Sequence, residues 1–306
     1  MKLAFLILAH KNPNQLVRLA RFLASEGDGV FIHIDKKAEH VYQQAKDELT
    51  EVQGISLIAQ RYPVYWGSCN QIEATLALAS AAHDSRQYHY HALISGQDLP
   101  LMKPGQMRDF IFRNKGKEFI EHWALPNWEK WSRENGGLNR LQLFWFDGGR
   151  GMRRLTARVQ SFQKKTHLMR SLKGLPPLFG GANWFTLTND FIGWVLAHVR
   201  DNPAYLRRYR HSRCADEIFF QTLLLSSPFA KQAQDLTLRY IEWCDGPHPR
   251  TLGKEDYEKM FAGGDRLFAR KFDEQVDRQI IDMVYERIER PEVATGAMWK
   301  TRSAFL

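Results

Sequence analysis

Cysteine is scarce in this chain. Three in 306 residues, Cys69, Cys214 and Cys244, are an odd number without paired spacing. That argues against a disulfide scaffold and fits a reducing compartment. No C-x-x-C pair or His/Cys cluster suggests structural zinc. No window approaches the roughly 20 apolar residues of a spanning helix. The first strand is not followed by G-x-G-x-x-G, and no G-x-x-x-x-G-K-[ST] loop occurs, which weakens dinucleotide and P-loop readings. The glycine pairs at 136–137, 148–149, 180–181 and 263–264 are not phosphate loops by themselves. D-x-D, by which many sugar-nucleotide transferases hold a divalent cation on a diphosphate, is also missing. There is no internal repeat and no low-complexity linker.

What is present is the composition of an ordinary soluble protein, long enough for one large domain or two small ones. The net charge of +9 fits an anionic partner: nucleic acid, a membrane surface or a phosphorylated ligand. The opening "MKLAFLILAHKNPNQ" has the start of a signal peptide, but its apolar run is short and no A-x-A-like cleavage site follows. Lys2–Ala9 therefore reads as a buried parallel strand.

The first hundred residues alternate. "KLAFLILAH", "GVFIHID", "GISLIA" and "YHYHALISG" read as strands. Helices fall between them at "NPNQLVRLARFLAS", with Leu16, Leu19, Phe22 and Leu23 at helical spacing, at "HVYQQAKDEL" and at "SCNQIEATLALASAAH". This order predicts right-handed βαβ units on a mainly parallel sheet. Three polar clusters sit at the carboxyl ends of strands: His10-Lys11, Asp35-Lys36-Lys37, and Ser95-Gly96-Gln97-Asp98. Asp and Gly are common turn residues, but three clusters on the rim where such sheets bind ligands favour a nucleotide site.

The second half is less regular. "GGANWFTLTNDFIGWVLAHV" predicts a strand and then a helix capped by Asn189 or Asp190. "DEIFFQTLLLSS" predicts a short apolar helix, and its Asp216 and Glu217 admit two readings. They are a cap and a first-turn acid favoured by the helix dipole, or they include a catalytic base. "TLRYIEW" predicts a strand, "CDGPHPRTLG" a loop, and Asp273–Arg290 contains a charged amphipathic helix. Residues 1–290 read as one integrated domain, and the patternless tail 291–306 as disordered. A diphosphate handled without metal needs fixed cations. Arg250 in "HPRTL" and Lys271 in "FARKFD" are the candidates, as a bidentate fork and a point charge.

Taken together, "AHKNP", "FIHIDKK", "VYWGSCNQIEATLALA", "HALISGQDLPL", "FGGANWFTLTNDFIGWVL", "DEIFFQT", "LRYIEW" and "LFARKFD" resemble, in order and spacing, the core-2/I-branching β-1,6-N-acetylglucosaminyltransferases of glycosyltransferase family 14, which include the peptide O-xylosyltransferases. The resemblance spans about residues 3–280. It implies a GT-A-like (Rossmann-like) fold and an inverting, metal-independent transfer from a UDP-sugar, GlcNAc before xylose, to a hydroxyl of a glycan, lipid-linked or protein acceptor. No cofactor is implied beyond the donor. The family's catalytic base falls on Glu217, its diphosphate cations on Arg250 and Lys271, and its uridine-contacting Asp on Asp35. An acceptor-binding Trp falls on Trp243, and a site-lining segment on Gly181, Asn183 and Trp184. Asp98 matches an Asp near the donor sugar. In the poorly matching stretch 121–180, Glu121 and His122 are the acceptor-side candidates. Animal members carry a membrane anchor and several disulfides. Neither is seen here, which implies a bacterial, cytoplasmic relative, at most peripheral at the inner membrane.

Segment 150–173 has eight Lys/Arg and no Asp or Glu, with Met152, Leu155, Val159 and Phe162 on one helical face. Two readings stand: a helix on an anionic membrane, or one packed on the core with a solvated basic face. A non-catalytic sugar-nucleotide or glycan-binding protein on the same scaffold is the alternative function. Nucleic acid is not expected as a partner, because the other basic residues are dispersed and no recognition motif appears.

Overall fold

The computed structural model describes residues 1–244, 246 and 248–290; the tail expected to be disordered lies outside them. In chain order the strands are β1 (Leu3–Ala9), β2 (Gly29–Ile34), β3 (Ile55–Leu57), β4 (Tyr90–Ser95), β5 (Asp98–Pro100), β6 (Glu118–Ile120), β7 (Trp123–Ala124), β8 (Phe179–Gly180), β9 (Phe185–Thr188), β10 (Ala233–Gln234), β11 (Arg239–Ile241) and β12 (Phe268–Arg270).

The near-continuous apolar run of β1 has a simple cause. Side chains alternate across a strand, and both faces of this one are covered. Leu3, Phe5 and Ile7 join one core with Leu16, Leu23 and Met107. Ala4 and Leu6 join the other with Leu78, Leu187 and Phe219. β1 pairs in parallel with β2 on one side and β4 on the other, at the centre of the seven-stranded order β10-β6-β9-β4-β1-β2-β3. Only β9 runs against its neighbours. This is the α/β class with a mainly parallel sheet that the alternation predicts. The first helix, Pro13–Ala24, buries Leu16, Leu19 and Leu23 as their spacing requires, with Phe22 partly buried.

"TLRYIEW" does form a strand, and "LFARKFD", for which none was expected, contributes another, in a separate sheet of order β11-β12-β5. Its own small core holds Leu99, Tyr240, Ala269, Phe272 and Tyr285. The antiparallel β12–β5 register sets Arg270 opposite Asp98.

The helix Asn189–Asp201 is capped one residue earlier than expected. The Thr188 hydroxyl accepts from the Phe191 amide at 3.1 Å. The Asn189 side chain is drawn instead to the rings of His83 and His91, at 2.9 and 3.0 Å. Thr188 also serves Glu118, whose carboxyl is buried in β6 and pushed up to about 7 by desolvation. The Thr188 amide donates to it at 2.8 Å, and the hydroxyl donates as well.

A folded-state pKa above the unfolded one means that Glu118 stabilises the fold at low pH and loses that contribution as pH rises from about 4.5 towards 7. Thr188→Val removes the cap and one donor. Urea unfolding is expected to show a loss of about 1 kcal/mol at pH 5, and a larger loss at pH 8, where the carboxylate needs its donors. An equal loss at both pH values would contradict this account.

Candidate active site

The strands β1, β2 and β4 end at one rim, and all three polar clusters come together there. His10, Lys11, Asp35, Lys37, Ser95 and Gln97 line a cleft of about 560 Å³. The opposite wall is built from Ala182–Trp184, the helix start at Asp216–Glu217, Trp243, and Arg270–Lys271.

At that helix start, sequence reasoning was half right. The helix runs Asp216–Leu225, so Asp216 is its first residue and Ala215 the N-cap. Asp216 is therefore not the cap. Its carboxylate accepts from the Gln71 amide at 3.0 Å and is buried, which pushes its pKa up, with Glu217 adding to the rise. Glu217 reaches the cleft, with its side chain 31% exposed. Burial raises its pKa, and the Arg140 guanidinium works against that rise.

Arg140 Nη1 donates to Glu217 Oε2, and its Nε donates to Glu134. Its guanidinium also lies 3.7 Å from the Trp131 ring centroid. Arg140 is nearly buried, on a one-turn helix over Asn139–Gln142. An Arg held by two carboxylates and an aromatic face is a fixed cation against Glu217, and it favours the ionised carboxylate that burial disfavours.

The backbone around this pair tolerates no side chain at Gly181. Its amide donates to the Glu217 carbonyl at 2.9 Å, and a Cβ there would fall 1.8 Å from the Glu121 carbonyl oxygen. Glu121 sits behind this segment, off the cleft wall, and accepts from the Ala182 amide at 3.2 Å. Through that bond Glu121 supports the 181–184 wall. Asn183 and Trp184 do line the cleft. Asn183 is buried, with both side-chain amide atoms unpartnered among the described residues.

The two expected diphosphate cations, Arg250 and Lys271, stand in different surroundings. Lys271 is on the wall. Desolvation lowers its pKa most, followed by the charges of Arg270 and Lys11. Arg250 is not on the wall. Its guanidinium turns to Asp256 at 2.5 Å and Glu255 at 3.0 Å. Arg270 takes the place beside Lys271, 4.3 Å from the Trp184 ring centroid.

Asp98 is fully buried beneath Arg270 and does not face the cleft. It accepts from Arg270 at 2.6 Å and from the Ser95 amide at 3.2 Å, and lies 3.9 Å from Arg239. Asp35 is on the wall, bonded through its two oxygens to the Lys37 amide and ammonium at 2.8 and 2.6 Å. Trp243 stands exposed at the mouth.

Sequence reasoning missed Arg140 and Arg270. For Arg140 the available signal was a lone cation among Leu138, Leu141 and Leu143. For Arg270 it was adjacency to Lys271.

Residues 3–262 match the family model described as Core-2/I-Branching enzyme. The chain is 21% identical over 305 residues to Xylosyltransferase 2 of Rattus norvegicus, covering 93% of this chain and 33% of that protein. It is 23% identical over 321 residues to Xylosyltransferase oxt of Drosophila melanogaster, covering 95% and 34%. The chain thus spans about a third of the length of the curated relatives it matches. Among solved structures, mannose-1-phosphate geranyltransferase from Thermus thermophilus overlaps at a TM-score of 0.32 and 9% identity, over 72% of each chain. A likeness at that level carries no argument.

If Arg140 holds Glu217 ionised, its removal must favour the protonated acid. In Arg140→Met the Glu217 carboxyl, followed by carbon-13 NMR, is expected to titrate at higher pH than in the wild type. An unchanged titration would mean the pair does not control the carboxyl.

Proposed function

We propose for this chain, which belongs to the core-2/I-branching enzyme family, a glycosyltransferase that moves a sugar from a UDP-sugar to an acceptor hydroxyl, with inversion and without a metal. The observation that carries the reading is one carboxylate, Glu217, held by Arg140 on the wall of a cleft that also presents Arg270 and Lys271.

Inversion is a single displacement. The acceptor hydroxyl gives its proton to Glu217 as its oxygen bonds to the anomeric carbon. The bond from that carbon to the diphosphate oxygen breaks on the opposite face, and UDP leaves with the electron pair. Lys271 and Arg270 stabilise the charge developing on the diphosphate. Their position, and the missing D-x-D, support the metal-free reading.

Asp35 supplies carboxylate oxygens for uridine at the end of β2. Trp243 offers a flat face for an acceptor sugar. Asn183 offers an unpartnered donor and acceptor for hydroxyls inside the cleft. GlcNAc and xylose are the donors to compare, and the names of the relatives give xylose more weight than the motifs alone do.

Calorimetric titration with UDP, UDP-GlcNAc and UDP-xylose, in EDTA and again with Mn²⁺, tests this. Binding in EDTA with a preference for one sugar nucleotide is expected. Lys271→Ala is expected to weaken UDP by about tenfold or more, consistent with loss of a charged hydrogen bond. Uridine should weaken far less, and Arg250→Ala should have a smaller effect on UDP than Lys271→Ala. Binding that requires Mn²⁺, or equal losses for UDP and uridine, would contradict the reading.

A further inference from the structure

The helix Arg150–Thr166 is turned the opposite way from an ordinary surface helix. Its polar residues hold it to the body. Gln163 accepts from the Phe144 amide at 2.9 Å and donates to the Gln142 carbonyl at 3.1 Å. Gln160 donates to the Phe144 carbonyl at 2.9 Å, and Thr156 accepts from the Phe146 amide at 3.0 Å. Thr156 and Gln163 are its buried residues.

The apolar stripe is left outside. Met152, Leu155 and Phe162 are 42, 40 and 59% exposed, and Leu168 and Met169 continue the exposed apolar surface past the helix end. Val159 completes the stripe at i, i+3 and i+4 spacing. Along its other edge, at the same spacing, run Arg154, Arg158 and Lys165, all exposed. The expectation that this helix packs its apolar face on the core is therefore corrected. A soluble helix normally buries that face, and here the burial is done by glutamine and threonine.

We propose that this helix docks the protein on the surface of an anionic lipid bilayer. The apolar stripe enters the headgroup boundary, and the flanking cations meet the lipid phosphates. Charge complementarity selects this occupant. Nucleic acid would satisfy the cations but leave the stripe in water. A second copy docking through the same face would oppose two segments that hold eight Lys/Arg and no acid between 150 and 173. Among the described residues no helix is long and apolar enough to cross a membrane, so attachment through this element lies on the surface.

The helix is tied to an edge of the cleft. The segment leading into it carries Arg140 and Trp145, and Arg213 lies 4.7 Å from the Trp145 ring centroid and 4.8 Å from that of Trp66, a cleft residue. A protein docked this way holds its cleft beside the bilayer, so the acceptor class it fits is a membrane-attached glycan carrier. That last step rests on the proposed function. The docking itself does not.

The test is co-sedimentation of the full chain with extruded vesicles of POPC alone and of equal parts POPC and POPG, at low and high salt. The variants are the exposed-residue double substitution Leu155→Glu/Phe162→Glu and the pair Arg154→Gln/Arg158→Gln. Circular dichroism and retained UDP binding report that each variant is folded.

Expected are binding to POPG vesicles only, partly retained at high salt, and a loss of about tenfold or more in partition for the apolar double variant. The charge pair should weaken binding and its salt dependence. Absence of binding to POPG vesicles would overturn the proposal. So would equal binding by the apolar double variant, which would reduce the effect to the charge of any basic protein. A wild-type dimer that this variant dissociates would assign the face to a second copy. Poly-glutamate binding lost in this variant would assign it to an acidic polypeptide. Either result overturns the lipid assignment.

Discussion

The site depends on a half-buried carboxylate, Glu217, held against a buried guanidinium, Arg140. Glu217 sits where desolvation favours the neutral acid, and a neutral acid cannot take a proton. Arg140 works against this by placing a permanent cation beside it. Arg140 is itself buried and must be satisfied, which explains its second carboxylate, Glu134, and the Trp131 ring over which it lies. Removing one member of such a group leaves another charge uncompensated, so the cluster behaves as a unit. Gly181 belongs to it for a steric reason: only a residue without Cβ can approach Glu121 so closely while its amide holds the Glu217 backbone.

A second ionic arrangement prepares another part of the cleft lining. The small sheet β11-β12-β5 sets buried Asp98 across from Arg270, which fixes that guanidinium against Trp184 and beside Lys271. Two cations side by side repel, as the lowered Lys271 pKa records after the larger effect of burial. In the proposed transfer, an arriving diphosphate would relieve that repulsion, with proton acceptance at the helix start and charge neutralisation at the sheet edge.

Much of the fold was legible because β1, β2 and β4 are short apolar runs ending in polar clusters, and their length, set against the helical spacing between them, distinguishes them from the helices. Glu217 and Lys271 were legible through motifs. Arg250 looked as available as Lys271, because nothing local in "HPRTL" reveals that Asp256, six residues on, claims its guanidinium. Arg140 and Arg270 were illegible for the converse reason. Their partners, Glu217 and Asp98, lie far along the chain, and only the folded sheet and helix start bring them together. The cap at Thr188 was missed because Asn189 is the better capping residue in isolation, and tertiary histidines remove it from that role.

The central claim is that Glu217 is the base. The most direct measurement is the turnover of Glu217→Gln beside its UDP affinity, once an accepted donor and acceptor pair is in hand. The account predicts unchanged UDP binding and a fall in turnover of about 10²–10⁴-fold. Near-normal turnover in a variant that binds UDP normally would remove Glu217 from the mechanism.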